Sequence, residues 1–167
     1  AINNIVIGGQ NLFENSANIA VDNTTNEHGY FASIEHVMDK LEVGDEITIS
    51  FDVKQLDGGG NGQFIQCYAS NRRNTKSFPA KAFYNIGTAW KRLSFTTTVI
   101  SATPTGAANT WIEFYSLYHT ADYWHVKNLK IERGNQATDW SAAPEDIQEK
   151  IEAAAQAKAD LAEVQAK

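Results

Sequence analysis

An all-β domain followed by a single α-helix is the architecture this sequence predicts, and three observations predict it. From Gln10 to Glu132 the chain breaks into short runs in which apolar and polar residues alternate, with turn residues between them; a period of two belongs to half-buried strands. Threonine, aromatic and β-branched side chains dominate those runs, as a pleated surface covered on one side favours. No helical pattern of comparable strength precedes position 144, whereas beyond it the chain turns alanine-rich, with apolar residues at spacings of three and four. Many short strands favour an antiparallel sandwich or barrel over βαβ units. There is no internal repeat.

In chain order, Leu12 and Phe13 of "QNLFENS" are expected in the core. "YFASIEHVMDKL" fits a short helix, or a strand with a loop, and both readings stay open. "GDEITISFDVK" is the clearest strand, with Ile47, Ile49, Phe51 and Val53 on one face and Thr48, Ser50, Asp52 and Lys54 on the other. The glycine-rich "QLDGGGNGQ" reads as a hairpin connection to "FIQCYAS", where Ile65, Cys67 and Ala69 point inward and Phe64, Gln66 and Tyr68 outward. In "WKRLSFTTTV", Leu93, Phe95, Thr97 and Val99 share a face, and Trp90 is expected to pack a sheet edge. "TWIEFYSLY" sets Ile112, Phe114 and Ser116 against Trp111, Glu113, Tyr115 and Leu117. "YWHVKNLKIE" closes the series, with Leu129 and Ile131 in the core and Tyr123 and Trp124 at the strand's beginning, as rim residues.

The tail obeys different rules. Pro144 suits a first helical turn, where its missing N–H costs nothing, and Glu145 and Asp146 complement the helix dipole. Ile147, Ile151, Ala154 and Leu161, with Ala157 or Val164, form a thin apolar stripe, and Lys158 interrupts a strict heptad. Such a helix runs roughly 35 Å. The stripe is too narrow to pack well on anything but copies of itself, so self-association as a parallel trimer is expected; the alternative is a helix folded back on its own domain. Trp140 is expected to peg the helix start to the strands. The division is therefore 1–143, a β domain, and 144–167, the start of an oligomerising stalk. Beginning at Ala1 and ending inside a helical pattern, the chain reads as a piece of something longer.

Composition narrows the function. A chain of 167 residues, 43% hydrophobic and 20% charged, can bury the core of one domain with an appendage. A formal net charge of −6 argues against a nucleic-acid partner, and the basic cluster Arg72, Arg73 and Lys76 reads as a solvated turn. The single cysteine, Cys67, allows neither an internal disulfide nor a thiolate metal cage. No apolar run is long enough for membrane insertion, and no signal-peptide pattern opens the chain. "NTT" at Asn23 matches the glycosylation sequon, which requires a secretory route. His28, His36, His119 and His125 have no metal-site spacing, and "DGGGNG" lacks the Lys-Ser/Thr of a phosphate-binding loop.

Four segments in the same order, "QNLFENS", "LEVGDEITISFDVK", "WKRLSFTTTV" and "VKNLKIERGNQATDWSAAPED", carry a resemblance. Over residues 10 to 147 the chain resembles the carbohydrate-binding-module-like domains of tail-tip, baseplate and tail-associated proteins of phages of Gram-positive bacteria and of their prophages. The closing K-x-E-x-G-x-x-A-T-D-W-S-x-A-P-E-D run is the most specific part; Ala142 departs from it where proline is usual. The resemblance implies a β-sandwich of jelly-roll type in a virion tail or baseplate, alongside other tail proteins, holding saccharides of the host envelope on the concave exposed face of a sheet.

A saccharide offers flat C–H faces and rings of hydroxyls, so its site combines aromatic platforms with carboxylates, amides and a cation. Alternation supplies Trp111, Glu113, Tyr115, Tyr68, Gln66, Asp52 and Lys54 as outward-facing ligand-binding candidates, with Trp124 at the rim. Glycoside hydrolysis needs two carboxylates roughly 5 to 9.5 Å apart; Glu113 and Asp52 are the outward pair, without a supporting pocket or nucleophile motif, and no enzymatic activity is expected. No cofactor is expected either, although a structural calcium ion could draw on Asp22, Asn23, Glu27 and Asp122. The expected function is noncatalytic adhesion to host cell-wall or surface polysaccharide. The alternatives are a tail spacer or trimerisation module without sugar binding, and the targeting module of a cell-wall hydrolase.

Overall fold

Alternation along the strands builds two antiparallel sheets that face each other across an apolar core. The computed structural model describes residues 8–18, 20–22, 28–55, 63–68, 75–103, 110–116 and 124–166; at 18, 20–22, 28–31, 63–64 and 66–68 it is the backbone that is described. After a 3-10 turn at Ser16–Asn18 come β1 (Ala20–Asp22), β2 (His28–Ser33), α1 (Glu35–Met38), β3 (Glu46–Gln55) and β4 (Gln63–Tyr68). Then follow β5 (Lys76–Ser77), β6 (Lys81–Phe83), β7 (Lys91–Thr98), β8 (Ile100–Ser101), β9 (Trp111–Tyr115), β10 (Trp124–Arg133) and α2 (Pro144–Gln165). Sheet I has the order β1-β10-β3-β7 and sheet II the order β2-β9-β4-β6, and β5 pairs with β8. The chain passes repeatedly from one sheet to the other, which makes the sandwich a jelly roll. "YFASIEHVMDKL" realises both of its readings in succession, a strand and then a one-turn helix.

The core is aromatic where the sheets meet. Phe51 of β3 lies 5.0 Å from Phe114 of β9 and 5.7 Å from Phe83 of β6, ring centre to ring centre and edge to face. Edge-to-face contact is the arrangement ring quadrupoles favour. Ile47, Ile49, Phe51, Val53, Ile65, Ile112, Phe114, Leu129 and Ile131 are all wholly buried, in the phase the sequence predicts. Each such side chain contributes about 1.5–3 kcal/mol by leaving water. Ile34, Val37, Met38 and Leu41, on and around α1, join the same core.

β10 does not keep one phase. Trp124 and Val126 face the core, and so do Leu129 and Ile131. The register against β3 shifts between Lys127 and Lys130, and Asn128 there has a left-handed φ of 54°. A bulge of this kind inserts one residue and reverses the inside-outside alternation beyond it. Counting back from Ile131 puts Trp124 outside, whereas it is 0% exposed. The expectation of a rim position is thereby corrected. Its ring lies 5.3 Å from Phe114 and 6.0 Å from Phe51, and its Nε1 donates to the Tyr115 carbonyl at 2.9 Å.

Past β10 the "RGNQATDW" segment crosses the outer face of sheet I. Gly134 turns the chain at φ 97°, a conformation glycine adopts without strain, and its carbonyl accepts from Thr48 Oγ1 at 2.8 Å. Lys130, buried beneath the strap, donates to Thr138 Oγ1 and to the Asp139 carbonyl, both at 2.7 Å. Glu132 accepts from Thr138 Oγ1 at 2.8 Å and from the Gly9 amide at 3.1 Å. Burial pushes the Lys130 amine below the ordinary lysine range, and the neighbouring Glu132 pulls it back up. Buried charges persist only when paired in this way.

The first motif meets the last at Asn11. Its wholly buried amide donates to Ser16 Oγ, the Leu129 carbonyl and the Ser141 carbonyl at 3.0–3.1 Å. Its Oδ1 accepts from the Phe13 and Ile131 amides at 3.0 and 3.1 Å. Trp140 Nε1 donates to the same Ser16 hydroxyl at 3.0 Å. The Asn15 amide donates to Asp146 Oδ2, and Lys40 Nζ to Glu145 Oε1, each at 2.8 Å. This latch holds the first turn of α2 against the sandwich; no residue of α2 itself is buried.

Candidate functional site

A sandwich has two outer faces, and the predicted site residues are divided between them. Trp111, Glu113 and Tyr115 alternate with buried Ile112 and Phe114 on β9, so they face outward from sheet II. Asp52 and Lys54 alternate with buried Phe51 and Val53 on β3, so they face outward from sheet I. The structure therefore does not bring Asp52 and Lys54 together with the β9 set. Alternation tells inside from outside and carries no information about which sheet a strand joins.

On sheet II, β9 is an inner strand between β2 and β4. Trp111 is opposite Tyr68 on one side and Ser33 on the other; Glu113 is opposite Gln66 and Phe31; Tyr115 is opposite Phe64 and His28. Three cross-strand rows thus carry the candidate residues of β4 and β9 in register. Side chains of Gln66 and Tyr68 lie outside the described residues. Trp111 and Tyr115 are partly exposed, but Glu113 is 0% exposed. The expectation that Glu113 faces water is corrected: it occupies the middle row of an inner strand, flanked on both sides, where outward parity does not amount to exposure.

On sheet I, Asp52 is committed to its own sheet. Its Oδ1 accepts from Arg92 Nη1 at 3.1 Å and its Oδ2 from Asn128 Nδ2 at 2.8 Å. Arg92 also donates to Ser50 Oγ at 2.9 Å and to the Asn128 carbonyl at 3.0 Å. Trp90, expected at a packed edge, is instead 42% exposed. It stands beside the Lys54 and Lys127 ammonium groups, 5.1 and 4.2 Å from its ring centre.

Hydrolysis by Asp52 and Glu113 has no geometric basis. Facing sheets are about 10 Å apart before their outward side chains are counted, which exceeds the separation that either glycosidase geometry uses. Among the described residues no group of three His, Cys, Asp or Glu side chains stands together as a metal site. The calcium candidates Asn23, Glu27 and Asp122, and the Asp22 side chain, lie outside the described residues, as do Tyr123, Arg72, Arg73, His119, "DGGGNG" and the side chains of His28 and Cys67. Burial pushes the imidazole of His125 below the ordinary histidine range. Burial does the same to His36, partly offset by Glu14, and His36 Nε2 accepts from the Glu14 amide at 3.1 Å.

No family model matches the chain, and no curated protein matches it. Solved structures similar to it include a chain from "CBM4 structure and function", 18% identical over 64% of this chain and 60% of that one, with a TM-score of 0.40. They also include a chain from "Structure of the tripod (BppUct-A-L) from the baseplate of bacteriophage Tuc2009", 16% identical over 85% of this chain and 61% of that one, with a TM-score of 0.47. This chain spans about three fifths of the length of each.

Proposed function

We propose that this chain is a noncatalytic carbohydrate-binding module of a phage tail or baseplate protein, adhering to host cell-surface polysaccharide through the outer face of sheet II. One observation carries the reading: Trp111 and Tyr115 stay partly open on the outward side of β9, each two residues from Glu113 and four from the other. Rings roughly 13 Å apart along one strand suit the C–H faces of non-adjacent sugar units on one glycan chain. Gln66 and Tyr68, opposite Glu113 and Trp111 in register, add an amide and a third ring to the proposed contact set. Glu113 and Trp124, both sealed, and Asp52 and Lys54, on the other face, are not part of it. The sequence resemblance carried by the four segments supports the setting in a tail or baseplate.

Pull-down with purified neutral envelope polysaccharide of a Gram-positive host tests the proposal. The chain is expected to be retained, and Trp111→Ala is expected to lose retention while still unfolding cooperatively. Undiminished retention by Trp111→Ala defeats the assignment to this face.

Assembly through α2 is the second element of the proposal. Ile147, Ile151, Leu161 and Val164 are each at least half exposed on a helix with no buried residue, a stripe that a parallel trimer would cover. Individually weak heads would then act together through effective concentration. Sedimentation with and without residues 145–167 is expected to give a trimer and a monomer; monomers in both cases contradict it.

A further inference from the structure

The strap leaves part of sheet I uncovered, and that part is cationic. The bulge at Asn128 places Lys127 opposite Asp52 on the outer face. Lys54 is one outward position further along β3, and Trp90 immediately precedes Lys91, the partner of Val53. Both ammonium groups converge on the same indole. Among the described residues no carboxylate is within ion-pair distance of either. The nearest in register, Asp52, is taken by Arg92 and Asn128. Lys91 donates to the Asn85 carbonyl. Among the described side chains of this uncovered part of the outer face, Lys54, Arg92 and Lys127 thus stand with one carboxylate, Asp52, on a chain whose net charge is −6. Cation–π attraction offsets part of the repulsion between two ammonium groups held over one ring, and an anion between them would offset the rest.

We propose that Lys54, Lys127 and Trp90 form a second binding site, for the phosphate or carboxylate groups carried along an anionic glycan chain. Its chemistry follows from which cations are available. Arg92 has its fork engaged with Asp52, Ser50 and the Asn128 carbonyl, so no bidentate guanidinium is on offer. What remains is a pair of point charges, which accept either oxyanion. Trp90, 42% exposed, offers apolar ring surface beside them for a sugar's C–H groups. An open sheet face, rather than a pocket, suits a polymer that presents the charge repeatedly. This site is on the opposite outer face from Trp111 and Tyr115, and it stands or falls separately from the binding proposed there.

The test uses the whole chain on immobilised poly(glycerol phosphate), polygalacturonate and neutral dextran at low salt. Retention is expected on one or both polyanions and not on dextran. Retention on poly(glycerol phosphate) alone identifies phosphate as the group recognised, and retention on polygalacturonate alone identifies carboxylate. The pair of substitutions K54Q and K127Q is expected to weaken binding about tenfold and to remove most of its salt dependence. K54R with K127R keeps the charges and is expected to keep binding, and Trp111→Ala is expected to bind the polyanions as the unaltered chain does. Absence of retention on both polyanions overturns the proposal, as does retention that the paired Gln substitutions leave unchanged. Should the Gln pair not fold, K54Q and K127Q taken singly give the same readout at smaller amplitude.

Discussion

The two outer faces of this sandwich use polar and aromatic residues in opposite ways. On sheet I beneath the strap, Lys130, Glu132 and Thr48 point away from the core and are nevertheless buried, because the chain returns over them and their hydrogen bonds hold it there. On sheet II, Trp111 and Tyr115 point away from the core and stay partly in water. The sequence motif with the greatest specificity, "KIERGNQATDW", belongs to the first face. It builds the latch that fixes the start of α2, and the recognition surface proposed on sheet II draws on other segments. A distinctive motif can therefore mark an architectural joint while the ligand-facing residues sit in less distinctive strands.

If that contrast is right, substitutions in the latch act on stability and substitutions on sheet II act on binding. The largest effect is expected at Asn11. Asn11→Ala removes five hydrogen bonds to groups in or beside the core and should cost about 3 kcal/mol or more in urea unfolding. Trp111→Ala, by contrast, should cost only about 1 kcal/mol. Next is Glu132→Gln, which leaves Lys130 buried without its charged neighbour and should cost about 2 kcal/mol in the same measurement. Gly134→Ala places a side chain at φ 97° and should cost about 1–2 kcal/mol. None of these three latch variants should alter glycan affinity once folded.

The smallest effect is that of pH. His36 has a folded-state pKa below its ordinary value, chiefly through burial, so the unfolded chain takes up its proton first as pH falls. The stability it contributes is complete above the unfolded value of about 6.5 and is lost as pH drops through the lower folded value. Thermal melts between pH 7.5 and 5 should show this decline, shallower in His36→Gln; identical slopes would contradict the contribution of His36.

Inside-outside phase was legible in the sequence wherever a strand stayed regular. Ile47 to Val53 on β3, and Ile112 and Phe114 on β9, are buried as their alternation requires. Three things were not legible, each for a physical reason. Sheet membership is a long-range property, so Asp52 and Trp111 shared a pattern but not a face. The bulge at Asn128 is a single residue with a left-handed backbone, and it moved Trp124 from the rim to the core. Burial of outward residues depends on what crosses over them. Lys130 and Glu132 alternate with core residues and are nevertheless buried under the strap, whereas Trp90, expected at a packed sheet edge, is exposed. The asparagine of "QNLFENS" had one visible signal, a polar residue immediately before two core residues.

Four tryptophans stand in four environments: Trp90 on the cationic patch, Trp111 on sheet II, Trp124 in the core and Trp140 in the latch. Fluorine NMR of the 5-fluorotryptophan-labelled chain, titrated with neutral oligosaccharides from a host envelope, therefore tests the division of labour in one experiment. The Trp111 resonance is expected to shift saturably while those of Trp124 and Trp140 stay fixed. An oligosaccharide that binds and leaves Trp111 unmoved contradicts the assignment of recognition to sheet II.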